Sequence, residues 1–407
     1  MKIVFYNHTG KVSGAERLLL NLLAHLRTDD FERLLLCPDD GPLAAMAAET
    51  GVAVGKVANL QVRFTWRPDR LLRYCKSFGG AIVHLRRQIS DLNPDLIHAN
   101  SIRAGLVATA ATAGLKVNVV WHLHDLLPRH PLSCGIRAVA ALSKRSRMIA
   151  VSDAVRRNFC GRWAGFLRRR VTVILNAIDP DRLSVKSADR EEARARLALA
   201  PDNFAIGIVG QLTPRKGQLE LLIAFAKLLR QVPQAVLVIV GAAIFNRDSE
   251  YEKLLHDTAQ SLGVAPRVKM LGSRDDVPEI VTALDLIVIN SRREPFGLVA
   301  CEAMACGTPV LATARDGLTE IIRHQENGWL VPFGDEHKLI DAITFLQRRP
   351  DLRRKLAGSA REDVARHFTI ERYMKDLHAF YQAIISENLV SDLKAPVSGQ
   401  DQKASFA

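Results

Sequence analysis

Runs of uninterrupted apolar residues, each no longer than one strand, recur along this chain with amphipathic segments between them. KIVFY leads into GAERLLLNLLAHLR, whose leucines return at helical spacing. RLLLC, PDLIHANS, VNVVWHLHD, RMIAVSD and VTVILNAID follow in turn. A strand that alternates apolar and polar residues has one wet face, whereas a strand apolar throughout is covered on both. Such strands separated by helices predict a parallel sheet between two helical layers. A polar stretch, DPDRLSVKSADREEARARLALAPDN, breaks the rhythm, which then restarts with FAIGIVGQ, AVLVIVG, VKMLGS, ALDLIVIN, TPVLAT and GWLVP. The expectation is two doubly wound α/β halves joined near Asp179–Asp202. Ligands of such sheets bind beyond the carboxyl ends of the strands, which for two facing halves is the cleft between them. From Asp351 to about Ser386 the pattern is helical, with Phe368, Tyr373, Leu377, Phe380 and Tyr381 as its apolar stripe. The tail SDLKAPVSGQDQKASFA has no periodicity and reads as disordered.

The 407 residues leave room for two domains of ordinary size. Cys37, Cys75, Cys134, Cys160, Cys301 and Cys306 show neither CxxC nor Cys/His spacing, which argues against a zinc site and against a disulfide framework. The first residues, MKIVFYNHTG, read as a strand rather than a secretory leader, so a reduced cytoplasmic chain is expected. The densest apolar run, AVLVIVGAAIF, falls short of the ~20 residues that cross a bilayer. Charge is divided unevenly. Residues 1–185 hold 27 Lys and Arg against 14 Asp and Glu, while the remainder holds 29 of each. The excess in the first half suits an anionic partner such as a membrane face or a phosphorylated substrate. No nucleic-acid motif accompanies the arginines, so no nucleic-acid partner is expected.

Two stretches of the second half carry chemistry. FAIGIVG runs into QLTPRKGQLELL, a strand, a turn with Gly210 and Gly217, two adjacent cations and a helix. Glycines let backbone amides approach, a helix start carries partial positive charge, and Arg215 and Lys216 add full charges, a setting for phosphate. A solvated basic turn would read the same way. Further on, EPFGLVACEAMACGTPV follows the apolar run ALDLIVIN. Pro295 fixes φ and Gly297 frees the backbone, which can hold Glu294 at the strand's carboxyl end. Glu302 lies about two helical turns on, beside Leu298 and Ala305. The two glutamates could be a pair of catalytic acids, a metal site, a grip on hydroxyls, or a helix start with a core ion pair. Hydroxyl binding fits best, because an ionised carboxylate accepts from two vicinal OH groups and no further Asp or His stands nearby for a metal.

The order GxxxPRKG, EPFGLVACEAMACGTPV and DGLTEII…NGWLVPFGD resembles the C-terminal domain of retaining family 4 glycosyltransferases (glycosyl transferases group 1) with the GT-B fold. MKIVFYNHTGKVSGAERLLLNLL, VVWHLHD, IAVSDAVR and VILNAID resemble the same family's first domain, in the same order. The resemblance covers roughly residues 1–385. It implies two Rossmann-like domains facing each other: residues 1–182 on the acceptor side and 183–368 holding the donor. Helices at 369–386 would pack back on the first domain, and 387–407 would be the tail. It also implies roles. Lys216, supported by Arg215, would hold the diphosphate of a nucleotide sugar, near Gly210 and Gly14. Glu302 would bind the ribose. Glu294 would contact the transferred sugar beside the backbone of Phe296, Gly297 and Leu298, with His124 at the same place. Catalysis would rest on Glu294, His124 and Lys216, with Ser13, Glu16 and His122 on the acceptor side, no metal and no cofactor. Two departures stand out. Gly210-Gln211 replaces the Gly-Arg common in the family, and SGAE replaces GGxE.

His122 and His124 alternate along one strand and so share a face. A metal pair there would lack a third ligand. His124 is the stronger candidate because strand becomes loop at that point. In QVRFTWRPDRLLRYCK, Arg63, Arg67, Arg70, Arg73 and Lys76 interleave with Phe64, Trp66 and Tyr74. In AVRRNFCGRWAGFLRRRV, Val155, Phe159, Trp163 and Phe166 fall near one helical stripe among arginines. Both suit a membrane surface, and the second equally suits core aromatics under a solvated face. The function expected is transfer of a hexose to a lipid-linked or polysaccharide precursor, with retention, by a cytoplasmic protein peripheral to the membrane. A nucleotide-sugar isomerase or epimerase and a non-catalytic sugar-nucleotide binder are the alternatives.

Overall fold

In the computed structural model, residues 1–26, 31–60, 68–179, 189–243 and 249–393 are described below. Two wholly parallel sheets carry the fold. The first has strands β1 (Lys2–Tyr6), β2 (Glu32–Cys37), β3 (Ala53–Lys56), β4 (Leu96–Ala99), β5 (Asn118–Leu123), β6 (Ser146–Ala150) and β7 (Val171–Val173), ordered β3-β2-β1-β4-β5-β6-β7. The second has β8 (Phe204–Val209), β9 (Ala235–Val240), β10 (Val268–Met270), β11 (Leu286–Ile289), β12 (Val310–Thr313) and β13 (Trp329–Val331), ordered β10-β9-β8-β11-β12-β13. The continuous apolar runs are the central strands, as their burial requires: every residue of β4, β5, β9, β11 and β12 is buried.

Strand order reverses between β1 and β4 in the first sheet and between β8 and β11 in the second. Chains leaving neighbouring strands at such a point run off in opposite directions, and a crevice opens at their carboxyl ends. Asn7 and Asn100 follow β1 and β4 there, while Gly210 and Asn290 follow β8 and β11.

The two sheets are joined through one apolar cluster. Trp121, Phe159 and Met148 of the first belong with Phe296, Met304 and Phe368 of the second. The chain returns at its end. Ile178 N–H donates to the Phe368 carbonyl at 2.9 Å, and the helix Ile370–Leu393 then lays Tyr373, Leu377 and Tyr381 against Phe5, Leu19 and Leu22. Those three side chains recur every fourth residue and are fully buried, each contributing on the order of 2 kcal/mol in area removed from water. The boundary expected at 182/183 and the residues 394–407 of the expected tail lie outside the described residues, and the last helix runs on past 386 to Leu393.

The expected aromatic stripe of the second basic segment is broken. Gly161, at φ 47°, ends the helix Asp153–Cys160, and a 3₁₀ turn intervenes before the helix Ala164–Leu167. Val155 and Phe159 therefore point into the core, whereas Phe166 is 75% exposed. Of the first basic segment, Arg63, Phe64, Trp66 and Arg67 lie outside the described residues, and Arg73, Tyr74 and Lys76 stand on the helix Pro68–Leu92.

Candidate active site

On the second sheet, β8 ends at Gly210 and the chain turns through a 3₁₀ segment, Pro214–Lys216, into the helix Gln218–Leu228. Gly217 joins the two at φ 72°, and a Cβ there would stand 2.1 Å from the Asn290 carbonyl oxygen. No other residue fits that contact. Asn290 reinforces it, its Nδ2 donating to the Gly217 carbonyl at 3.1 Å. This contact ties the basic turn to the loop after β11, which carries Glu294. Lys216 Nζ donates to Glu294 Oε2 at 2.6 Å, and Ser291 Oγ donates to the same oxygen at 2.8 Å.

The backbone of Glu294 is held on both sides. Its N–H donates to Asp316 Oδ2 at 3.1 Å, and its carbonyl accepts from Gly317 N–H at 3.0 Å. Burial works to raise the Glu294 pKa, but the charges of Lys216 and Arg215 and the hydrogen bonds from Lys216 and Ser291 outweigh it and hold it below the usual range. Glu294 is thus an anion at neutral pH, suited to accept hydrogen bonds and not to give a proton. Arg215 lies at the surface of the turn, its Nη1 donating to the Arg293 carbonyl at 3.1 Å.

Gly297 starts the helix Leu298–Ala305 at φ 117°, where an added Cβ would meet Leu318 Cδ2 at 2.8 Å. Among the described residues no side chain caps this helix start, so its first amides and partial positive charge are left for an anion or a polar ligand. Glu302 lies in the same helix, half-buried, and its carboxylate makes no hydrogen bond to the described residues. Burial raises its pKa, opposed by the charges of Arg17 and Lys216. Arg17 comes from the helix Gly14–His25 of the first sheet, so both halves act on this carboxylate. Gly14 adjoins the same place: a Cβ on it would lie 3.8 Å from Leu298 Cδ1.

In the first half, His124 is half-buried just past β5, its Nε2 2.9 Å from Asn100 Oδ1. His122 is sealed within the sheet, its Nδ1 3.1 Å from His98 Nε2, and His98 Nδ1 is 2.6 Å from the Tyr381 hydroxyl. Burial lowers the pKa of His98 and of His124 to about 3 and that of His122 well below its ordinary value. All three rings are neutral. Glu16 is turned inward: Oε2 accepts from the Ser13 amide at 3.0 Å and the Ser13 hydroxyl at 2.5 Å, and Oε1 from Asn7 Nδ2 at 3.3 Å. Its carboxylate, placed on the acceptor side by the sequence, is engaged in holding the first loop together.

Lys216, Glu294, Gly210, Phe296 and Gly297 thus come from turns that adjoin one another, Leu298 and Glu302 from the helix that follows, and Gly14 faces them. Asn7, Arg17, Asn100, Ser291 and Asp316 were not singled out by the sequence. Asn7 and Asn100 carry the signal that picked out His124, a polar residue where a central strand ends. Among the described residues no group of three His, Cys, Asp or Glu is placed to hold a metal ion. None of the described helices is long and apolar enough to cross a membrane.

Two facing parallel-sheet halves with a basic turn, a glycine-led helix start, and a buried and a half-buried glutamate at their junction define a GT-B glycosyltransferase, an enzyme dependent on a nucleotide sugar. Residues 12–182 match the family model described as Glycosyltransferase Family 4 and residues 189–363 that described as Glycosyl transferases group 1. The D-inositol 3-phosphate glycosyltransferase of Stackebrandtia nassauensis is 33% identical over 324 residues, 75% of this chain and 71% of that protein. The Anabaena HepE crystal structure with UDP-glucose is 30% identical and superposes with a TM-score of 0.79, covering 96% of this chain and 100% of that one. HepE with UDP gives 0.80 at 29% identity, covering 94% and 100%. The chain belongs to glycosyltransferase family 4, the glycosyl transferases group 1.

Proposed function

We propose that this enzyme moves a hexose from a uridine diphosphate sugar to a lipid-linked or polysaccharide precursor, lipopolysaccharide included, with retention at the anomeric carbon and without a metal ion. Residues 183–368 take the donor and residues 1–182 the acceptor. The observation that carries the reading is the Lys216–Glu294 pair at 2.6 Å, set beside an uncapped helix start and Glu302. Departure of a nucleoside diphosphate leaves negative charge on phosphate and positive charge on the sugar. Lys216 and Arg215 are the cations placed for the first, with the amides at Gly297 and Leu298. Glu294, anionic and fixed through its backbone, receives hydroxyls of the sugar on the oxygen that Lys216 and Ser291 do not use. Glu302 takes the vicinal hydroxyls of the ribose, and His124 borders the transferred sugar. The uridine is argued from the HepE structures, which hold UDP and UDP-glucose.

The acceptor is argued from surface chemistry. Leu142 is 81% and Phe166 75% exposed. They sit on adjoining helices with Lys144, Arg162, Arg168 and Arg169 exposed around them, and Arg170 ties the two by donating to the Ser143 carbonyl at 2.5 Å. Apolar tips in a basic field suit an anionic bilayer at its cytoplasmic face.

Purified full-length protein, offered UDP-, GDP- and ADP-sugars in a thermal-shift screen, is expected to be stabilised by UDP-hexoses. Stabilisation only by another nucleotide overturns the donor assignment. Conversion of a UDP-sugar to an isomer with no acceptor would make it an isomerase. Cosedimentation with phosphatidylglycerol vesicles at physiological salt is expected for the native chain and lost in Leu142→Ser/Phe166→Ser. Absence of binding by the native chain overturns the membrane acceptor.

A further inference from the structure

Asn7, Asn100 and His124 stand at the carboxyl ends of β1, β4 and β5, three strands that are neighbours in the first sheet. Their hydrogen bonds run in one direction only. Asn7 Nδ2 is 2.7 Å from the Thr9 carbonyl oxygen, which can only accept. The nitrogen of that amide is thereby placed, and Asn7 Oδ1 faces Asn100 as an acceptor. Asn100 Nδ2 donates to it at 3.1 Å. That turns Asn100 Oδ1 to His124 Nε2, 2.9 Å away, so this ring nitrogen carries the proton. A neutral imidazole has one N–H, and Nδ1 is left with its lone pair.

The surroundings keep the ring in that state. Desolvation lowers its pKa to about 3, so it stays neutral through the physiological range. His122 packs on it with ring centroids 3.9 Å apart and is itself bonded to His98, which is bonded to Tyr381 of the last helix. The two rings differ in one respect. His122 Nε2 is sealed from solvent with no hydrogen-bond partner among the described residues, whereas His124 Nδ1, also bonded to none of them, is not among the sealed atoms. It is the ring nitrogen open to a ligand.

We propose that Asn100, backed by Asn7, is a positioning residue that fixes His124 as the Nε2–H tautomer, so that Nδ1 accepts a hydrogen bond from a hydroxyl of the transferred sugar. This rests on the placement of His124 beside that sugar and adds the sense of the contact. The imidazole is a neutral acceptor and neither a proton donor to the leaving phosphate nor a base. A ring with a mixed tautomer would offer an N–H to the hydroxyl half of the time and lose its orientation. Loss of a tautomer-fixing partner is costly in enzymes because the proton sits on the wrong nitrogen.

The test uses the full chain with UDP-glucose as the probe donor. With 15N-labelled histidine, the ring of His124, assigned by its loss in His124→Gln among 12 histidines, is expected as the neutral Nε2–H form. A neutral Nδ1–H form or an imidazolium overturns the proposal. Asn100→Ala is expected to mix the tautomers and to lower kcat about tenfold or more, with the donor KM nearly unchanged, because orientation and not donor binding is lost. Wild-type tautomer or wild-type kcat in that variant overturns it. Asn100→Asp keeps an acceptor for Nε2–H, so it should recover part of the kcat lost in Asn100→Ala. It also places a negative charge against the ring, which among the described residues packs on His122, with His98 beyond it, and reaches Glu16 through Asn100 and Asn7. A new ionisation should therefore appear in its kcat–pH profile, and a profile with no such step counts against the assignment. Should His124→Ala transfer glucose at the native rate while the tautomer is as stated, the placement of His124 at the sugar fails, and the role of Asn100 with it.

Discussion

The two halves meet the cleft with different chemistry. The second half brings charged side chains, Lys216, Arg215 and Glu294 on turns locked by contacts at Gly217, Asp316 and Gly317, and Glu302 on the helix that follows. The first half brings one cation, Arg17, near Glu302, and otherwise neutral groups, Asn7, Asn100 and His124, with His122 and His98 sealed behind them, joined by hydrogen bonds. A donor diphosphate has to be met by charge, whereas a sugar or acceptor hydroxyl is best oriented by neutral donors and acceptors whose polarity is fixed beforehand. The same doubly wound architecture serves both because its crevice accepts whatever residue follows a central strand.

The comparison breaks first on the charged side. Lys216→Ala removes the cation that faces the leaving phosphate, and Glu294→Gln removes the anion that fixes both Lys216 and the sugar. Either should lower kcat by roughly 10²–10³, measured as steady-state transfer or donor hydrolysis, with the circular dichroism spectrum unchanged. Full activity in either variant ends the assignment.

Glu302 sharpens the contrast because it is half-buried and its carboxylate makes no hydrogen bond to the described residues. Its raised pKa means that its charge opposes folding as pH climbs through and above the ordinary carboxylate value. Glu302→Gln should therefore melt higher than the native enzyme at pH 7 and no higher in acid, while UDP-glucose binds roughly ten- to hundredfold more weakly, as loss of a charged hydrogen bond to ribose requires. A variant that gains no stability at pH 7 contradicts the electrostatics, and one that binds the donor normally contradicts the ribose contact.

Much of the charged side was legible in the sequence. Adjacent cations before a glycine and two glutamates around a Pro-Phe-Gly are local features that draw attention to these stretches, but the basic turn reads equally as a solvated one, and the donor roles come from the family resemblance. The neutral side was legible only in part. His124 stood out as a histidine at a strand end, but Asn7 and Asn100 satisfy the same criterion and were passed over, because an asparagine after a strand is common in turns. What singles them out is that β1, β4 and β5 lie side by side, an adjacency made by crossovers that no local pattern records. Glu16, put on the acceptor side by the family resemblance, has its partner Asn7 nine residues earlier, after β1, a contact that no local pattern records. The aromatic stripe at Val155–Phe166 failed for a different cause. A helical period was carried across Gly161, whose left-handed backbone ends the helix.

Acid stability separates the halves as well. His8, His98 and His122 are buried and His124 half-buried, and all four are depressed, the first with its pKa near 3 from burial and the charge of Arg103. The unfolded chain takes up protons at these sites as pH falls below about 6.5, whereas the folded one does not, so stability declines from there downward. Glu294, with a lowered pKa, contributes stability that persists above the ordinary carboxylate value and is lost only as pH falls through its folded pKa. Hydrogen exchange at pH 5.5 against pH 7.5 should then show loss of protection in β1, β4 and β5 before β8 and β11, by on the order of 1 kcal/mol for each histidine per pH unit. Equal loss in both sheets would mean that the histidines are solvated.

The smallest effect is expected at the seam between the halves. Glu320, next to the turn that holds Glu294, reaches across to the helix Asp153–Cys160, where its two oxygens accept from the Asp153 and Ala154 amides at 2.7 Å each. Ser152 Oγ accepts from the Val155 amide and donates to the Pro295 carbonyl at 2.5 Å, so one hydroxyl caps the helix and holds the loop of Glu294. The contacts are those of a helix cap, with the cap supplied by the other half of the molecule. Glu320→Gln keeps the shape but removes the charge at the helix start and one acceptor oxygen, and should cost about 1 kcal/mol in denaturant unfolding. Because the same contacts bring Glu294 against the first half, donor hydrolysis without acceptor should rise relative to transfer, as a looser seam admits water. A variant that loses stability with the ratio of hydrolysis to transfer unchanged would confine Glu320 to holding the helix and leave the alignment of the cleft to the apolar cluster around Phe296 and Phe368.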